Sequence, residues 1–152
     1  MELTILDLFH AIDALDWAAV EAALDDRVEI DYRTLFGGEA STLTSEEVVE
    51  SWKGIVPGFD ATQHLLGPIR IVEKGDNRAD AEAHVRAYHY LEESVWMVAG
   101  HYRIALRRTD AGFRIAGIRL DVFHQEGGDL LSRAQERALA FPRLSGRARS
   151  ER

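Results

Sequence analysis

Apolar residues follow a helical period in the first part of the chain. From Thr4 to Leu15 they recur every three or four positions, which predicts an amphipathic helix with Thr4 as its N-cap. Asp16 can cap a second helix, DWAAVEAAL, and Thr44-Ser45-Glu46-Glu47 has the form of a capping box that begins a third. Between the second and third helices, the alternation in RVEIDYRT predicts a half-buried strand.

From residue 61 onward the period changes from about 3.6 to 2. The alternation predicts four long strands joined by short turns at KGDN, Glu92-Glu93 and TDAG, over residues 61–74, 78–91, 95–108 and 113–124. After Gly127-Gly128, the segment DLLSRAQERALAF predicts a closing helix.

This order of elements indicates an α+β fold. A long, twisted, mixed or antiparallel sheet can curve around N-terminal helices into a cone and leave an apolar pocket at its open end. We expect one domain over residues 1–141, followed by a basic, disordered tail over residues 142–152.

Composition excludes several classes of function. The chain of 152 residues has no cysteine, which rules out disulfides, thiolate nucleophiles and cysteine metal sites. Its net charge of −8 disfavours nucleic acid as a partner. No apolar run reaches the roughly 18 residues of a membrane span, and the acidic N-terminus lacks the form of an export signal. We therefore expect a cytoplasmic protein that does not bind membranes.

Histidine is the residue type that indicates acid-base chemistry in this sequence, because imidazole exchanges protons near neutral pH. In the strand ADAEAHVRAYHY, alternation places His89 in a row of small apolar residues, and His84 on the opposite face with Glu82 and Arg86. His64 lies among apolar residues in DATQHLLGP. His10 and His84 are better explained as boundary or surface residues, and the remaining two histidines, His101 and His124, stay undecided.

A metal site is one alternative for these histidines. Two or three of them with Asp13 or Asp31 could hold zinc or iron, but the sequence has no HxH pair and no HExxH helix. It also lacks a GxSxG nucleophile elbow and a glycine-rich phosphate loop. Proton transfer without a cofactor remains, and it needs an imidazole, a carboxylate and a phenol. These types are supplied by Asp13, Tyr32, His64 and His89. Asp31 is an alternative to Asp13 as the carboxylate, although the strand face on which Asp31 lies suggests that it is solvated.

Six segments, taken together, resemble a known family. IDALDW, IDYRTLF, SEEVV, TQHLLG, HVRAYH and FRIAGIRLD occur in the order and at nearly the spacing of the scytalone dehydratases. That family belongs to the cone-fold superfamily of nuclear transport factor 2-like, SnoaL-like and ketosteroid isomerase-like proteins. The resemblance extends from about Ile12 to Arg133.

The resemblance implies roles for individual residues. Asp13 would pair with His89, His64 would be the second catalytic imidazole, and Tyr32 would help to polarise the substrate. Leu35 falls at a pocket wall. Three positions depart from the family and would alter substrate recognition: Ile12 replaces a tyrosine, while Gly100 and Tyr102 replace a serine and an asparagine. From the pattern of the closing helix, Leu130 and Leu131 could contact substrate as part of a lid, or they could simply pack the helix on the sheet.

These expectations describe a cofactor-independent dehydratase without a metal. It would eliminate water from a cyclic hydroxy ketone or a polyketide-derived aromatic precursor by acid-base catalysis. Two alternatives remain open: an isomerase or cyclase on the same fold, and a non-catalytic module that binds a small apolar ligand or dimerises. The resemblance implies a homotrimer, and a dimer is also compatible with the fold.

Overall fold

The computed structural model describes residues 1–140, which form five α-helices, a short 3₁₀ turn and seven strands. The elements follow the chain in this order: α1 (Glu2–Ala14), α2 (Trp17–Ala23), β1 (Leu24–Asp31), α3 (Arg33–Phe36), β2 (Ser41–Thr44), α4 (Ser45–Lys53), the 3₁₀ turn (Val56–Gly58), β3 (Ala61–Leu66), β4 (Arg70–Glu73), β5 (Arg78–Leu91), β6 (Ser94–Thr109), β7 (Gly112–Glu126) and α5 (Leu130–Ala140). The predicted tail, residues 142–152, lies outside the described residues.

All strands belong to one curled sheet in the order β2-β1-β7-β6-β5-β3, with β4 also paired to β5. The pairing of β1 with β7 is parallel, and the other pairings are antiparallel. The expected α+β fold with a mixed, curved sheet and N-terminal helices is therefore confirmed.

Helix α1 fills the concave face of this sheet. It buries one apolar stripe that includes Ile5, Leu8, Phe9 and Ile12. The facing row of β5 alternates as predicted, because each second residue from Ala79 to His89 is buried. The small side chains of that row leave space between helix and sheet, and this space becomes the cavity described below.

Local signals at helix ends were predicted with mixed success. The Asp16 carboxylate accepts a hydrogen bond from the Ala19 amide at 3.1 Å, and Thr44 and Glu47 form the expected capping box. Thr4, however, is not an N-cap, because α1 already begins at Glu2. Its hydroxyl instead donates to the Phe113 carbonyl oxygen at 3.3 Å and ties α1 to β7.

Two further predictions of element bounds were wrong. The strand expected over residues 61–74 is divided into β3 and β4, which both pair with β5, because the chain breaks at Gly67 and Pro68. The strand predicted for RVEIDYRT is β1, which begins at Leu24 and ends at Asp31. The chain then turns through α3, whose end at Gly37 has a left-handed φ of 74°.

The closing helix lies where the sequence placed it, within the limit of the described residues. A Cβ atom on Gly58 would lie 1.8 Å from the Ala134 carbonyl oxygen, so only glycine lets α5 pack this closely on the 3₁₀ turn. Within residues 1–140, none of the helices combines the length and the apolar character that crossing a membrane requires.

Candidate active site

The concave face of the sheet encloses a cavity of about 90 Å³ beneath α1, α3 and α4. Its walls are mostly apolar and aromatic, and its titratable groups include His64, His89, Tyr32 and Tyr102. Apolar walls around a few convergent polar groups are typical of ligand sites.

Asp13 at the end of α1 holds His64 on β3. Nδ1 of His64 lies 2.7 Å from Oδ1 of Asp13, and the His64 backbone N–H donates to Oδ2 at 2.9 Å. Thr62, two residues earlier on the same strand face, donates its hydroxyl hydrogen to Oδ1 at 2.9 Å. Burial by itself would raise the pKa of Asp13, but the hydrogen bonds and charge of His64 and the bond from Thr62 outweigh it and lower the pKa below its ordinary value. Asp13 is therefore an ionised acceptor at neutral pH.

This arrangement corrects the predicted pairing of Asp13 with His89. Nδ1 of His89 lies 3.0 Å from the main-chain carbonyl oxygen of Trp96 on β6. Because a carbonyl oxygen can only accept, His89 carries a hydrogen on Nδ1. His64 is therefore the imidazole hydrogen-bonded to the Asp13 carboxylate, and Nδ1 of His89 donates to the Trp96 carbonyl oxygen.

The two imidazoles approach each other across the cavity. Their ring centroids are 6.0 Å apart with the planes at 80°. Phe9 lies 5.2 Å from His64, and the indole of Trp96 stacks on His89 at 4.4 Å. Both rings thus stand in largely apolar surroundings at a distance that one small molecule or water could bridge.

Two phenols supply hydrogen-bond donors. Burial raises the pKa of Tyr32 well above its ordinary value, against the opposing effect of a hydrogen bond from the Trp52 indole. Burial also raises the pKa of Tyr102, and the neighbouring Tyr32 and Asp13 raise it further. Both side chains therefore keep their O–H hydrogen at any physiological pH and can donate it to an oxygen atom in the cavity.

The other predicted substrate contacts divide into two groups. Ile12, Leu35 and Tyr102 line the cavity, whereas Gly100, Leu130 and Leu131 do not. Gly100 lies at a β-bulge, where the pairing with β7 skips Phe123. A Cβ atom there would lie 2.5 Å from the Asp121 carbonyl oxygen, so β7 covers this position. Leu130 and Leu131 pack against the hydrophobic core at the start of α5, away from the cavity.

Asp31 was expected to be solvated, and this expectation is wrong. Its side chain is only 10% exposed because Arg33 binds it, with Nη2 of Arg33 at 2.7 Å from Oδ2. Asp31 does not line the cavity. The remaining histidines also lie outside it: His10, His84 and His124 are exposed, and His101 contacts His84 on the outer face of the sheet.

Several aromatic wall residues were missed in the sequence. Trp96 and Phe36 line the cavity, as do Phe9 and Trp52. Alternation could have found Trp96, because it shares the inward face of β6 with Val98 and Tyr102. Within residues 1–140, no group of three or more histidine, aspartate or glutamate side chains could hold a metal ion.

The family model of the SnoaL-like domain matches residues 4–119. No curated protein matches the chain. Among solved structures, the protein Kfla4162 from Kribbella flavida superposes with a TM-score of 0.77 at 23% identity, covering 86% of this chain and 96% of its own.

Two further structures carry names that concern elimination reactions. A proposed scytalone dehydratase from Novosphingobium aromaticivorans has a TM-score of 0.71 at 17% identity and covers 82% of this chain and 83% of its own. A hexachlorocyclohexane dehydrochlorinase, LinA type 2, has a TM-score of 0.68 at 15% identity and covers 82% and 86%. At these identities the likeness concerns the fold.

Proposed function

Because the chain belongs to the SnoaL-like domain family, and because two imidazoles meet in one apolar cavity, we propose that it is a cofactor-independent lyase. It eliminates water from a small cyclic β-hydroxy ketone. The observation that carries this proposal is the convergence of two imidazoles on one apolar cavity, each with its Nδ1 held by a fixed partner.

Unequal environments assign the acid and the base. His64 forms an ion pair with Asp13 when it is protonated. His89 is buried, and its Nδ1 donates to a main-chain carbonyl oxygen between aromatic faces. His64 is therefore the acid and His89 the base.

The reaction balances with these two groups. Nε2 of His89 removes the proton on the carbon next to the ketone, and the C–H electron pair forms the enolate. The enolate then expels the hydroxyl group from the β-carbon, and protonated His64 donates its Nε2 hydrogen to the departing oxygen. The products are the conjugated enone and water. A water molecule between the rings, whose centroids are 6.0 Å apart, returns the proton from His89 to His64.

The phenols stabilise the negative charge that develops on the ketone oxygen. Tyr32 and Tyr102 line the same cavity and keep their hydrogens. Donors aimed at an enolate oxygen in a poorly solvated site lower the barrier more than they would in water.

The volume of the cavity limits the size of the substrate. An apolar cavity of about 150 Å³ accommodates benzene, and this one measures about 90 Å³. A single ring is therefore the upper limit of substrate size, and it enters only when a side chain at the mouth moves. Phe36 is the wall residue best placed to move, because it lines the cavity and is 47% exposed.

Water is a more suitable leaving group here than halide. Hydroxide leaves only when it receives a proton, whereas chloride leaves without one. A second imidazole that donates a proton, the role proposed for His64 beside Asp13, assists only in the first case. The site therefore favours dehydration over the dehydrochlorination that one structural relative is named for.

The direct test is incubation of the purified protein with 3-hydroxycyclohexanone. We expect the conjugated enone to appear in the ultraviolet spectrum, with the product mass lower by one water. A product of unchanged mass would instead identify an isomerase. A panel of single-ring β-hydroxy ketones that gives no turnover, together with no saturable binding, would contradict the proposal and favour a non-catalytic role.

A further inference from the structure

Trp96 contacts His89 in two independent ways. Its main-chain carbonyl oxygen lies 3.0 Å from Nδ1 of His89, and its indole stacks on the imidazole with centroids 4.4 Å apart and planes at 28°. The two residues face each other across the β5–β6 pairing, beside the turn at Glu92-Glu93. We propose that Trp96 is a positioning residue that fixes the tautomer of His89 and stabilises the charge that the ring acquires when it takes a proton.

The carbonyl contact determines which nitrogen of His89 can accept a proton. A hydrogen on Nδ1 is required for the bond to the Trp96 oxygen, so in the neutral ring the lone pair is on Nε2. Neutral imidazole in water prefers the opposite tautomer, with its hydrogen on Nε2. The fold thus selects the less common form, and this form makes Nε2 the base.

The indole contact acts on the charged form. The face of an aromatic ring carries negative potential, and tryptophan attracts cations most strongly within about 6 Å. Phe59 adds a second aromatic ring 5.1 Å from His89. When His89 accepts a proton, these rings offset part of the cost of placing a charge in a buried site.

The indole itself is held in place. Nε1 of Trp96 donates to Oε1 of Gln125 on β7 at 3.1 Å, and Trp96 is only 3% exposed. The turn after β7 covers this bond: a Cβ atom on Gly128 would lie 3.1 Å from the Gln125 oxygen. On Gly127, with φ of 75°, a Cβ atom would lie 2.1 Å from the Val95 carbonyl oxygen. The bond to Gln125 and the burial of Trp96 thus hold the indole against His89.

Trp96 thus holds Nδ1 of His89 as Asp13 holds Nδ1 of His64. The other titratable groups around the cavity are His64 with Asp13, and the phenols of Tyr32 and Tyr102. Asp60, which follows Phe59, is held by the Glu92 amide at 2.7 Å and by Arg137 at 3.0 Å. The inference rests on the proposed function only for the direction of proton transfer.

The test is nitrogen NMR of histidine-labelled protein, which reports tautomers and needs no substrate. The His89→Asn variant identifies the His89 signals among the six histidines. We expect the wild-type protein to show His89 with its hydrogen on Nδ1. Trp96→Leu keeps the main-chain carbonyl but removes the aromatic face, so the hydrogen should stay on Nδ1 while the proton affinity of His89 falls roughly threefold to thirtyfold. Trp96→Phe keeps an aromatic face and should restore most of that affinity.

Two further variants separate positioning from packing. Gln125→Leu keeps the indole but removes its anchor, so its effect should lie between those of Trp96→Phe and Trp96→Leu. Trp17→Leu removes a buried tryptophan from α2, so it should lower the melting temperature and leave the proton affinity of His89 unchanged.

Activity gives a second readout if turnover is found. A base must be unprotonated, so kcat/KM rises with pH through its protonation equilibrium. In Trp96→Leu this rising limb should move to lower pH, with a lower plateau. The inference is overturned if wild-type His89 carries its hydrogen on Nε2, or if Trp96→Leu leaves the titration of His89 unchanged. Absence of turnover with an intact NMR result would contradict the proposed function alone.

Discussion

The two faces of the sheet each carry a pair of neighbouring histidines with a carboxylate beside them. On the concave face these are His64 and His89 with Asp13, and on the convex face His84 and His101 with Glu82. The outer rings are closer, with centroids 5.1 Å apart compared with 6.0 Å for the inner pair. Distance between rings therefore does not distinguish the candidate site.

The two histidine pairs differ in how closely a carboxylate holds one of their rings. Oδ1 of Asp13 is 2.7 Å from Nδ1 of His64, whereas Oε2 of Glu82 is 3.9 Å from Nε2 of His101. Glu82 is engaged at 2.8 Å by Arg70, and this bond is the main reason that the pKa of Glu82 is lowered. Glu82 on the convex face thus binds an arginine, whereas Asp13 on the concave face binds the imidazole of His64.

Solvent is the second difference. His84 is exposed and Phe123, which lies 5.9 Å from it, is 65% exposed, whereas His89 is 8% exposed. Water weakens the interactions between charges, and it allows an exposed imidazole to adopt either tautomer. The comparison teaches that burial and a fixed nitrogen, rather than residue type, separate a reactive imidazole from a surface one.

The largest expected effect comes from removing an inner imidazole. His64→Asn or His89→Asn should lower kcat/KM by about a hundredfold to ten-thousandfold, because general acid-base assistance is lost. His101→Asn is the matched control on the outer face and should change kcat/KM little. Circular dichroism would verify that all three variants are folded. Equal rates for the inner and outer variants would refute the assignment of the site to the concave face.

The phenols should have the next largest effect. Tyr32→Phe removes one donor to the enolate oxygen and should lower kcat by roughly a hundredfold, with a smaller change in KM. Tyr90→Phe is the control, because its hydroxyl donates to Gln63 at 3.2 Å in an exposed position. Steady-state kinetics of both variants measures the difference. A change confined to KM in Tyr32→Phe would mean that this phenol binds substrate without stabilising the transition state.

Alternation predicted which residues face the cavity, since the period of a strand fixes its faces. It placed His89 in the buried row of β5 and His84 outside, and both positions are as expected. It could not say which histidine meets Asp13. That contact depends on where the end of α1 lies along the sheet, and Thr62 and His64 on β3 are the residues within reach of it.

Irregular backbone explains the remaining errors. Gly100 follows the alternation of β6, but the bulge opposite Phe123 brings β7 over it, and no periodic pattern encodes a bulge. Asp31 has the sequence position of a solvated residue, yet Arg33 two positions later turns back to bind it. The break between β3 and β4 was visible as Gly67-Pro68, and the predicted strand should have ended there.

The smallest expected effect concerns stability rather than rate. Asp13→Asn should reduce the free energy of unfolding by about 1–3 kcal/mol at neutral pH, because the Asp13 carboxylate accepts hydrogen bonds from His64 and Thr62 in a partly buried position. Glu82→Gln should have a smaller effect, because exposed ion pairs contribute little. Urea unfolding of both variants beside the wild type measures the difference.

The dependence on pH then tests the cause. The pKa of Asp13 is lowered from its ordinary value of 3.8, so the unfolded chain binds a proton at this residue before the folded protein does. The stabilisation is complete above the unfolded pKa and is lost as the pH falls through the folded one. Asparagine does not titrate. The stability gap between wild type and Asp13→Asn should therefore shrink as the pH is lowered below 3.8. A gap that stays constant over that range would mean that Asp13 stabilises the fold by packing alone, and that its charge is not what holds His64.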